Sequence, residues 1–168
     1  MMSFLKHAEA GADDKTMTDA ERYLEFSLGK EKFGIQLLQV RELISVPETT
    51  PIPYSPKYFK GIMNLRGQVI SVIDLRLKLG VTSNEDQSEN AVVIVEFDGF
   101  RLGLIVDSIN KVLQIEDGQI AEVPEVKATG GKDYINGVFK NGDDLVVLLE
   151  LPSLLSVREI HQYMEKVA

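Results

Sequence analysis

The sequence predicts an all-β protein made of two small barrels packed together. Three observations lead to this prediction. Short apolar runs alternate with turn residues from Tyr23 onward, the same texture restarts after a polar segment that ends near residue 90, and little of the chain has helical periodicity. Many short strands at this spacing are typical of a sandwich or barrel rather than of an α/β fold. With 44% hydrophobic residues among its 168, the chain has enough apolar surface for a core.

The first half of the chain begins with residues 1–21, a polar segment that we expect to be a mobile tail. Residues 23–28 and 33–35 predict two strands joined by a turn, and residues 35–44 predict a short helix that runs into a third strand. Four of the six prolines follow in residues 47–56, where we expect an extended connector, because proline cannot donate to a strand ladder.

The next segment, residues 60–75, predicts two short strands joined by a tight turn with Arg66 at its tip. Within that hairpin no opposite charge faces Arg66. A short helix over residues 74–79 follows, and Gly80 can end it.

The second half begins after the polar run at residues 83–90, which is the best candidate for a subdomain boundary. Residues 91–97 and 100–106 predict two strands joined at Asp98-Gly99, a strong turn dipeptide. Residues 127–133 predict a loop. From Leu154 the apolar residues step at helical spacing, so we expect a C-terminal helix, for which Ser156 and Glu159 form a capping box.

An internal repeat organises these elements. Five residues recur downstream at one constant spacing: Tyr58, Gly61, Asp74, Leu75 and Leu79 correspond to Tyr134, Gly137, Glu150, Leu151 and Leu155. Residues 33–35 match residues 102–104 at a slightly different spacing. The repeat predicts a first barrel over residues 22–88 and a second barrel with the C-terminal helix over residues 89–168, and leaves open an exchange of terminal strands between the barrels.

The composition excludes several classes of function. The net charge of −8, without a cluster of Lys and Arg, argues against a nucleic-acid or anionic-membrane partner, and the lack of a long apolar run argues against direct membrane insertion. The absence of cysteine excludes disulfides and thiolate chemistry and fits a reducing compartment. No targeting pattern or long apolar run is visible, so we expect a cytoplasmic protein.

The residues that usually carry catalysis do not cluster in this sequence. His7 and His161 are the two histidines, and they lie in the tail and on the last helix. Gly131-Lys132 lacks the flanking residues of a phosphate-binding loop, and the acidic run at residues 85–89 lacks the ligand spacing of a calcium loop. We therefore expect no enzymatic activity, no metal and no cofactor.

The remaining features point to a binding surface. Arg66 carries a planar group that suits a carboxylate or a protein partner, and it lies on a tight turn. The equivalent turn of the second repeat, residues 140–143, is an ordinary Lys-Asn-Gly-Asp turn. A repeat that carries this charge at only one tip favours a function for Arg66.

Two segments of the hairpin carry a specific resemblance. Residues 61–67 (Gly-Ile-Met-Asn-Leu-Arg-Gly) and residues 72–76 (Val-Ile-Asp-Leu-Arg) resemble the signature hairpin of the CheW family of bacterial chemotaxis coupling proteins. Other supporting segments are residues 23–26, 33–35, 40–43 and 102–107. The resemblance extends from about Tyr23 to about Ile160.

The resemblance implies two SH3-like five-stranded β-barrels around a shared core, without enzymatic activity. It implies an adaptor that couples the cytoplasmic tips of methyl-accepting chemoreceptors to the regulatory domain of the chemotaxis histidine kinase. Such an adaptor is recruited from the cytoplasm to membrane receptor arrays. In the family the kinase contacts the ends of the barrels, and the receptor binds in the groove between them. Carried over by position, the groove residues are Val40, Glu42, Gly61, Asn64, Arg66, Gly67, Val92 and Val112, with Glu42 and Arg66 as an ion pair.

Three alternatives remain open at this point. The chain could be a CheW-like part of a larger protein, either a coupling protein fused to a receiver domain or the regulatory domain of a kinase. It could also be a small-barrel ligand-binding domain or enzyme. A nucleic-acid-binding barrel is the weakest alternative, because the charge is of the wrong sign.

Overall fold

A computed structural model describes residues 22–81, 90–122 and 134–155 of the chain. The predicted tail at residues 1–21, the loop at residues 127–133 and the capping box at Ser156 and Glu159 lie outside the described residues. The expected C-terminal helix also falls largely outside them.

The described residues are mostly β-strand, which confirms the predicted class. A 3-10 turn, Leu37–Gln39, leads into the third strand, and a second one covers Asp117–Gln119. The strands are β1 (Arg22–Leu28), β2 (Glu31–Gln36), β3 (Val40–Ser45), β4 (Phe59–Leu65), β5 (Gln68–Asp74), β6 (Ala91–Phe97), β7 (Phe100–Val106), β8 (Ser108–Gln114), β9 (Ile120–Ala121), β10 (Ile135–Asn141) and β11 (Asp144–Leu149), and the helices are α1 (Leu75–Leu79) and α2 (Leu151–Leu154).

The strands form two sheets with one topology. The first, barrel A, has the order β3-β6-β7-β5-β4, and the second, barrel B, has the order β8-β1-β2-β11-β10-β9. In each sheet one central pair is parallel (β5 with β7, and β11 with β2), whereas the other pairs are antiparallel. The segment around Thr50 pairs with Ile62 on β4, as β9 pairs with β10. The two sheets are therefore two copies of one arrangement.

The two barrels are interlaced along the chain. The first hairpin, β1–β2, belongs to barrel B, and the hairpin β6–β7 belongs to barrel A. Each repeat thus contributes its first hairpin to the sheet that holds the rest of the other repeat. The boundary between residues 22–88 and 89–168 stays a prediction about the repeats. The sheets agree with it only if the two repeats exchange strands, which the sequence left open.

The buried apolar side chains of the described residues form three clusters, because alternate residues of a strand face opposite sides of its sheet. The shared core between the sheets includes Leu24, Phe26, Ile73, Val93, Leu104 and Leu149. The interior of barrel A contains Met63, Ile70, Val72, Val92, Ile94 and Ile105. The interior of barrel B contains Tyr23, Leu113, Ile115, Phe139, Val146 and Leu148. The predicted arrangement of two barrels around a shared core matches this packing.

Candidate functional site

Glu42 and Arg66 form a bidentate ion pair at one end of barrel A. Arg66 Nη1 donates to Glu42 Oε2 at 2.6 Å, and Nη2 donates to Oε1 at 2.7 Å. The Arg66 side chain remains 74% exposed, whereas that of Glu42 is 15% exposed. The hydrogen bonds to Glu42 raise the pKa of the Arg66 guanidinium. The ion pair that the resemblance implied is present, and Arg66 is not the unpaired charge that the hairpin alone suggested.

This ion pair joins two opposite edges of one sheet. Glu42 lies on β3 and Arg66 lies in the turn after β4, and β3 and β4 are the edge strands of barrel A. The sheet must curl for these edges to meet. The pair therefore marks the place where barrel A closes.

The turn that carries Arg66 has an unusual backbone. Arg66 has φ 51° and Gly67 has φ 86°, and two positive values are what a type I′ hairpin turn requires. The Asn64 side-chain oxygen accepts a hydrogen bond of 2.8 Å from the Gly67 N–H. Asn64 and Gly67 thus fix the turn, and the turn presents Arg66 to Glu42.

Gly61 has a structural reason to be glycine. It is buried on β4 with φ 142°, and a Cβ atom there would overlap the Thr50 carbonyl oxygen. The neighbouring Ile62 exchanges two hydrogen bonds with Thr50, of 2.8 and 2.9 Å. Gly61 therefore lets the proline-rich connector lie against β4.

The three valines of the predicted groove have different surroundings. Val92 is 0% exposed and lies inside barrel A, so it can affect a surface only through packing. Val40 on β3 and Val112 on β8 are half-buried and pack against the shared core. Because β3 belongs to barrel A and β8 to barrel B, these two valines place the predicted set on both barrels.

The structure thus separates the predicted residues into three groups. Glu42, Asn64, Arg66 and Gly67 come together at the closing edge of barrel A. Val40 and Val112 border the shared core, and Gly61 and Val92 lie below the surface.

Comparison with known proteins identifies the family of this chain. The CheW-like domain family matches residues 22–159. The chain belongs to this family. It is 32% identical to the chemotaxis protein CheW of Klebsiella aerogenes over 85% of this chain and 86% of the relative, and 31% identical to that of Treponema pallidum over 82% and 83%.

A solved structure gives the same result for the fold. The scaffolding protein TtCheW from Thermoanaerobacter tengcongensis superposes with a TM-score of 0.74 at 30% identity, over 83% of this chain and 95% of the neighbour. Together with the family, this similarity supports a chemotaxis coupling scaffold, and nothing in the comparisons favours the alternatives.

Sequence reasoning missed a buried cluster in this CheW-like chain. Arg76 donates from Nε and Nη2 to the two carboxylate oxygens of Asp74, at 2.9 and 2.8 Å, and from Nη1 to Asp107 at 2.9 Å. All three residues are buried. The hydrogen bonds to Asp74 raise the pKa of Arg76, and the hydrogen bond to Asp107 raises it further, whereas burial lowers it. In the sequence, Asp74 stood out only as a repeat residue and as part of a family segment, and Arg76 and Asp107 only as parts of family segments.

Sequence reasoning also missed cross-strand pairs that recur in the two barrels. In barrel A, Arg101 bonds Gln68 and Glu96, each at 3.0 Å. At the equivalent place in barrel B, Lys32 bonds Asp144 at 2.6 Å. The Arg101–Gln68 and Lys32–Asp144 pairs each join the parallel central strands near the hairpin tips, whereas Arg101–Glu96 joins β7 to β6. The repeat thus preserves a polar link between its parallel strands although the residue types differ.

The described residues bear on metal binding and on membrane crossing. Among the described ranges 22–81, 90–122 and 134–155, no group of three or more His, Cys, Asp or Glu residues could hold a metal ion. No helix in the same ranges is long and apolar enough to cross a membrane. The described site consists of an exposed guanidinium held by Glu42 at the closing edge of barrel A, and of half-buried valines that border the shared core.

Proposed function

We propose that this CheW-like chain is a non-enzymatic cytoplasmic adaptor. It binds the cytoplasmic tip of a methyl-accepting chemoreceptor and the regulatory domain of the chemotaxis histidine kinase, and so controls kinase activity at membrane receptor arrays. The observation that carries this proposal is the Glu42–Arg66 pair, an exposed guanidinium held at the closing edge of barrel A in a CheW-like fold.

The Glu42–Arg66 pair gives the receptor a preorganised hydrogen-bonding group. A guanidinium has five N–H donors, and Glu42 accepts from two of them. The other donors can reach a carboxylate or carbonyl oxygen on a receptor helix. Because Glu42 and the turn already hold the side chain, little rotamer entropy is lost when the receptor binds.

Val40 and Val112 supply the apolar part of the proposed groove. Both are half-buried at the border of the shared core, one on each barrel. An amphipathic receptor helix that lies across both barrels could cover them with its apolar face, which is a common mode of helix recognition. We therefore assign Val40 and Val112 to the floor of the groove and Arg66 to its rim.

The barrel ends are the proposed contact for the kinase. Val69 is 53% exposed at the beginning of β5, and Phe100 is exposed at the beginning of β7. Since β5 and β7 are parallel neighbours, both side chains lie at the same end of barrel A. They are the candidates that we propose for contact with the kinase regulatory domain.

Charge reversal at the ion pair tests the proposal. We expect Arg66→Glu to weaken binding of a receptor-tip fragment about tenfold or more, because the new carboxylate repels Glu42 and removes the donors. The double exchange Glu42→Arg with Arg66→Glu should restore the pair and recover part of the affinity. Isothermal titration calorimetry with the fragment measures both.

Arg101→Glu is the matched control, because Arg101 is also exposed, lies in barrel A and bonds a glutamate. It should bind the receptor tip as the parent does. Equal receptor affinity in the parent and Arg66→Glu would show that the groove assignment is wrong. If the parent binds neither the receptor tip nor the kinase domain, the adaptor function itself fails.

A further inference from the structure

Asp107 connects three parts of the fold. It follows β7 of barrel A and precedes β8 of barrel B, so the chain passes at this residue from one barrel to the other. Its Oδ1 accepts from Arg76 at 2.9 Å, and its Oδ2 accepts from the Gly29 N–H at 2.5 Å. Its own N–H donates to the Ser27 carbonyl at 3.0 Å.

These bonds tie the two barrels together at one point. Gly29 is in the turn of the β1–β2 hairpin, which belongs to barrel B. Arg76 is on α1, directly after β5 of barrel A, and Asp74 holds one edge of its guanidinium through two hydrogen bonds. The path from barrel A to barrel B therefore runs through Arg76, Asp107 and Gly29, and each bond in it is buried or partly buried.

At the equivalent positions of the repeat, the described residues cannot form a second ion pair of this kind. At the spacings of the repeat, the residues equivalent to Arg76, Asp107 and Gly29 are Pro152, Leu38 and Asp98. Pro152 and Leu38 have no side-chain polar atoms, and Leu38 is 54% exposed. Among the described residues the two barrels are thus joined at Asp107 by an ion pair with Arg76 and a hydrogen bond from Gly29, and Pro152 and Leu38 cannot form a matching ion pair.

We propose that Arg76 and Asp107 are positioning residues that fix the angle between the two barrels and thereby the width of the groove between Val40 and Val112. Val112 lies on β8, the strand that begins directly after Asp107, and Val40 lies on β3 of the other barrel. The part of this proposal that concerns receptor affinity rests on the proposed function, but the part that concerns the angle does not.

Distance measurement between the barrels tests the link directly. The sequence has no cysteine, so Lys60→Cys on β4 and Asn136→Cys on β10 can each carry one spin label without background labelling. Both residues are exposed, and they occupy equivalent places in the two barrels. In the parent, double electron–electron resonance should give one narrow distance distribution. In Arg76→Met the distribution should shift or broaden.

A second variant distinguishes a change in the angle between the barrels from a loss of folding. Arg76→Met leaves two buried carboxylates without a countercharge, which can unfold the protein. The triple variant Asp74→Asn, Arg76→Met, Asp107→Asn removes all three charges at nearly constant volume, and the distribution should broaden in it as well. Arg101→Met is the control, since it removes an arginine whose described partners lie within barrel A, and the distance should stay as in the parent.

Binding measurements separate a positioning role from a merely structural one. We expect the triple variant to bind the receptor tip about fivefold or more weakly, a usual size for coupling between sites. Its affinity for the kinase regulatory domain should be unchanged, because that proposed contact lies at the end of one barrel. An unchanged distance distribution in the folded variants overturns the proposal. If the parent binds no receptor tip, the proposed function fails, but the distance measurement still decides whether the link fixes the angle.

Discussion

Gly61 and Gly137 lie at equivalent points of the two barrels, each where another segment approaches too closely for a side chain. A Cβ atom on Gly61 would overlap the Thr50 carbonyl oxygen, and one on Gly137 would lie 2.5 Å from Ile120 Cγ2 and 2.9 Å from the Ala121 oxygen. The register of each hairpin shifts at the same place, immediately before the glycine. The close approach of an outer segment is thus part of the repeated unit.

We expect Gly61→Ala to destabilise the fold by roughly 2–3 kcal/mol, because the added methyl group displaces the connector and the backbone has a positive φ. Urea denaturation followed by circular dichroism measures the change. Gly118→Ala is the control, since a Cβ atom there meets open space, and its effect should be within about 0.5 kcal/mol. Equal stability of the two variants would contradict the close approach.

Val92→Ala should cost about 2 kcal/mol of unfolding free energy, because it removes buried methyl groups from the interior of barrel A. Val69→Ala, at an exposed position of the same barrel, should change stability by less than about 0.5 kcal/mol. If Val92→Ala weakened receptor binding while its stability stayed that of the parent, Val92 would be a contact residue and not a core residue.

The variant Arg66→Asn should distinguish the contribution of the turn to stability from that of the Glu42–Arg66 ion pair. Asn-Gly is the strongest sequence for a type I′ turn, and asparagine tolerates positive φ better than arginine does. We therefore expect the midpoint of thermal unfolding to stay equal to that of the parent or to rise, although the bonds to Glu42 are lost. Receptor affinity should nevertheless fall. A large drop in the midpoint would show that the ion pair is needed mainly to close barrel A.

The pair of Lys32 and Asp144 should make stability depend on pH in the acid range. The hydrogen bond from Lys32 lowers the pKa of Asp144 in the folded state. The pair therefore stabilises the fold above the unfolded pKa, which is about 4, and this contribution is lost as the pH falls through the lower folded value. In Lys32→Met the pKa of Asp144 should rise, which carboxyl carbon shifts in an NMR titration would show. Lys30→Met, in the adjacent turn, should leave that titration as in the parent.

Local features of the fold were predictable because they depend on neighbours in sequence. The hairpin around Arg66 follows from alternation and turn chemistry, and α1 ends at Gly80 as expected. The duplication was visible because residues such as Gly61 and Gly137 are required by the same close approach. The pair of Glu42 and Arg66 came from the resemblance, since no local pattern relates these two residues.

Other features were beyond sequence reasoning because they join distant residues. Arg76 meets Asp107 across 31 positions, and Asp107 meets Gly29 across 78, with no periodicity to indicate either contact. The burial of Val92 was ambiguous for a different reason: the run from Ala91 to Val95 is apolar on both faces, so alternation could not tell the barrel interior from the shared core.

The interlacing of the barrels also constrains how the chain can fold during synthesis. In barrel A, β6 and β7 lie between β3 and β5, so the first half of a nascent chain exposes strand edges that only residues after Ala91 can cover. The β1–β2 hairpin acquires its neighbouring strands later still, because these are β8 on one side and β11 on the other. Pairings this distant are slow to form and leave edges open to wrong partners. The adaptor therefore becomes competent only when nearly all of its folded part has left the ribosome, and neither half can complete a barrel alone.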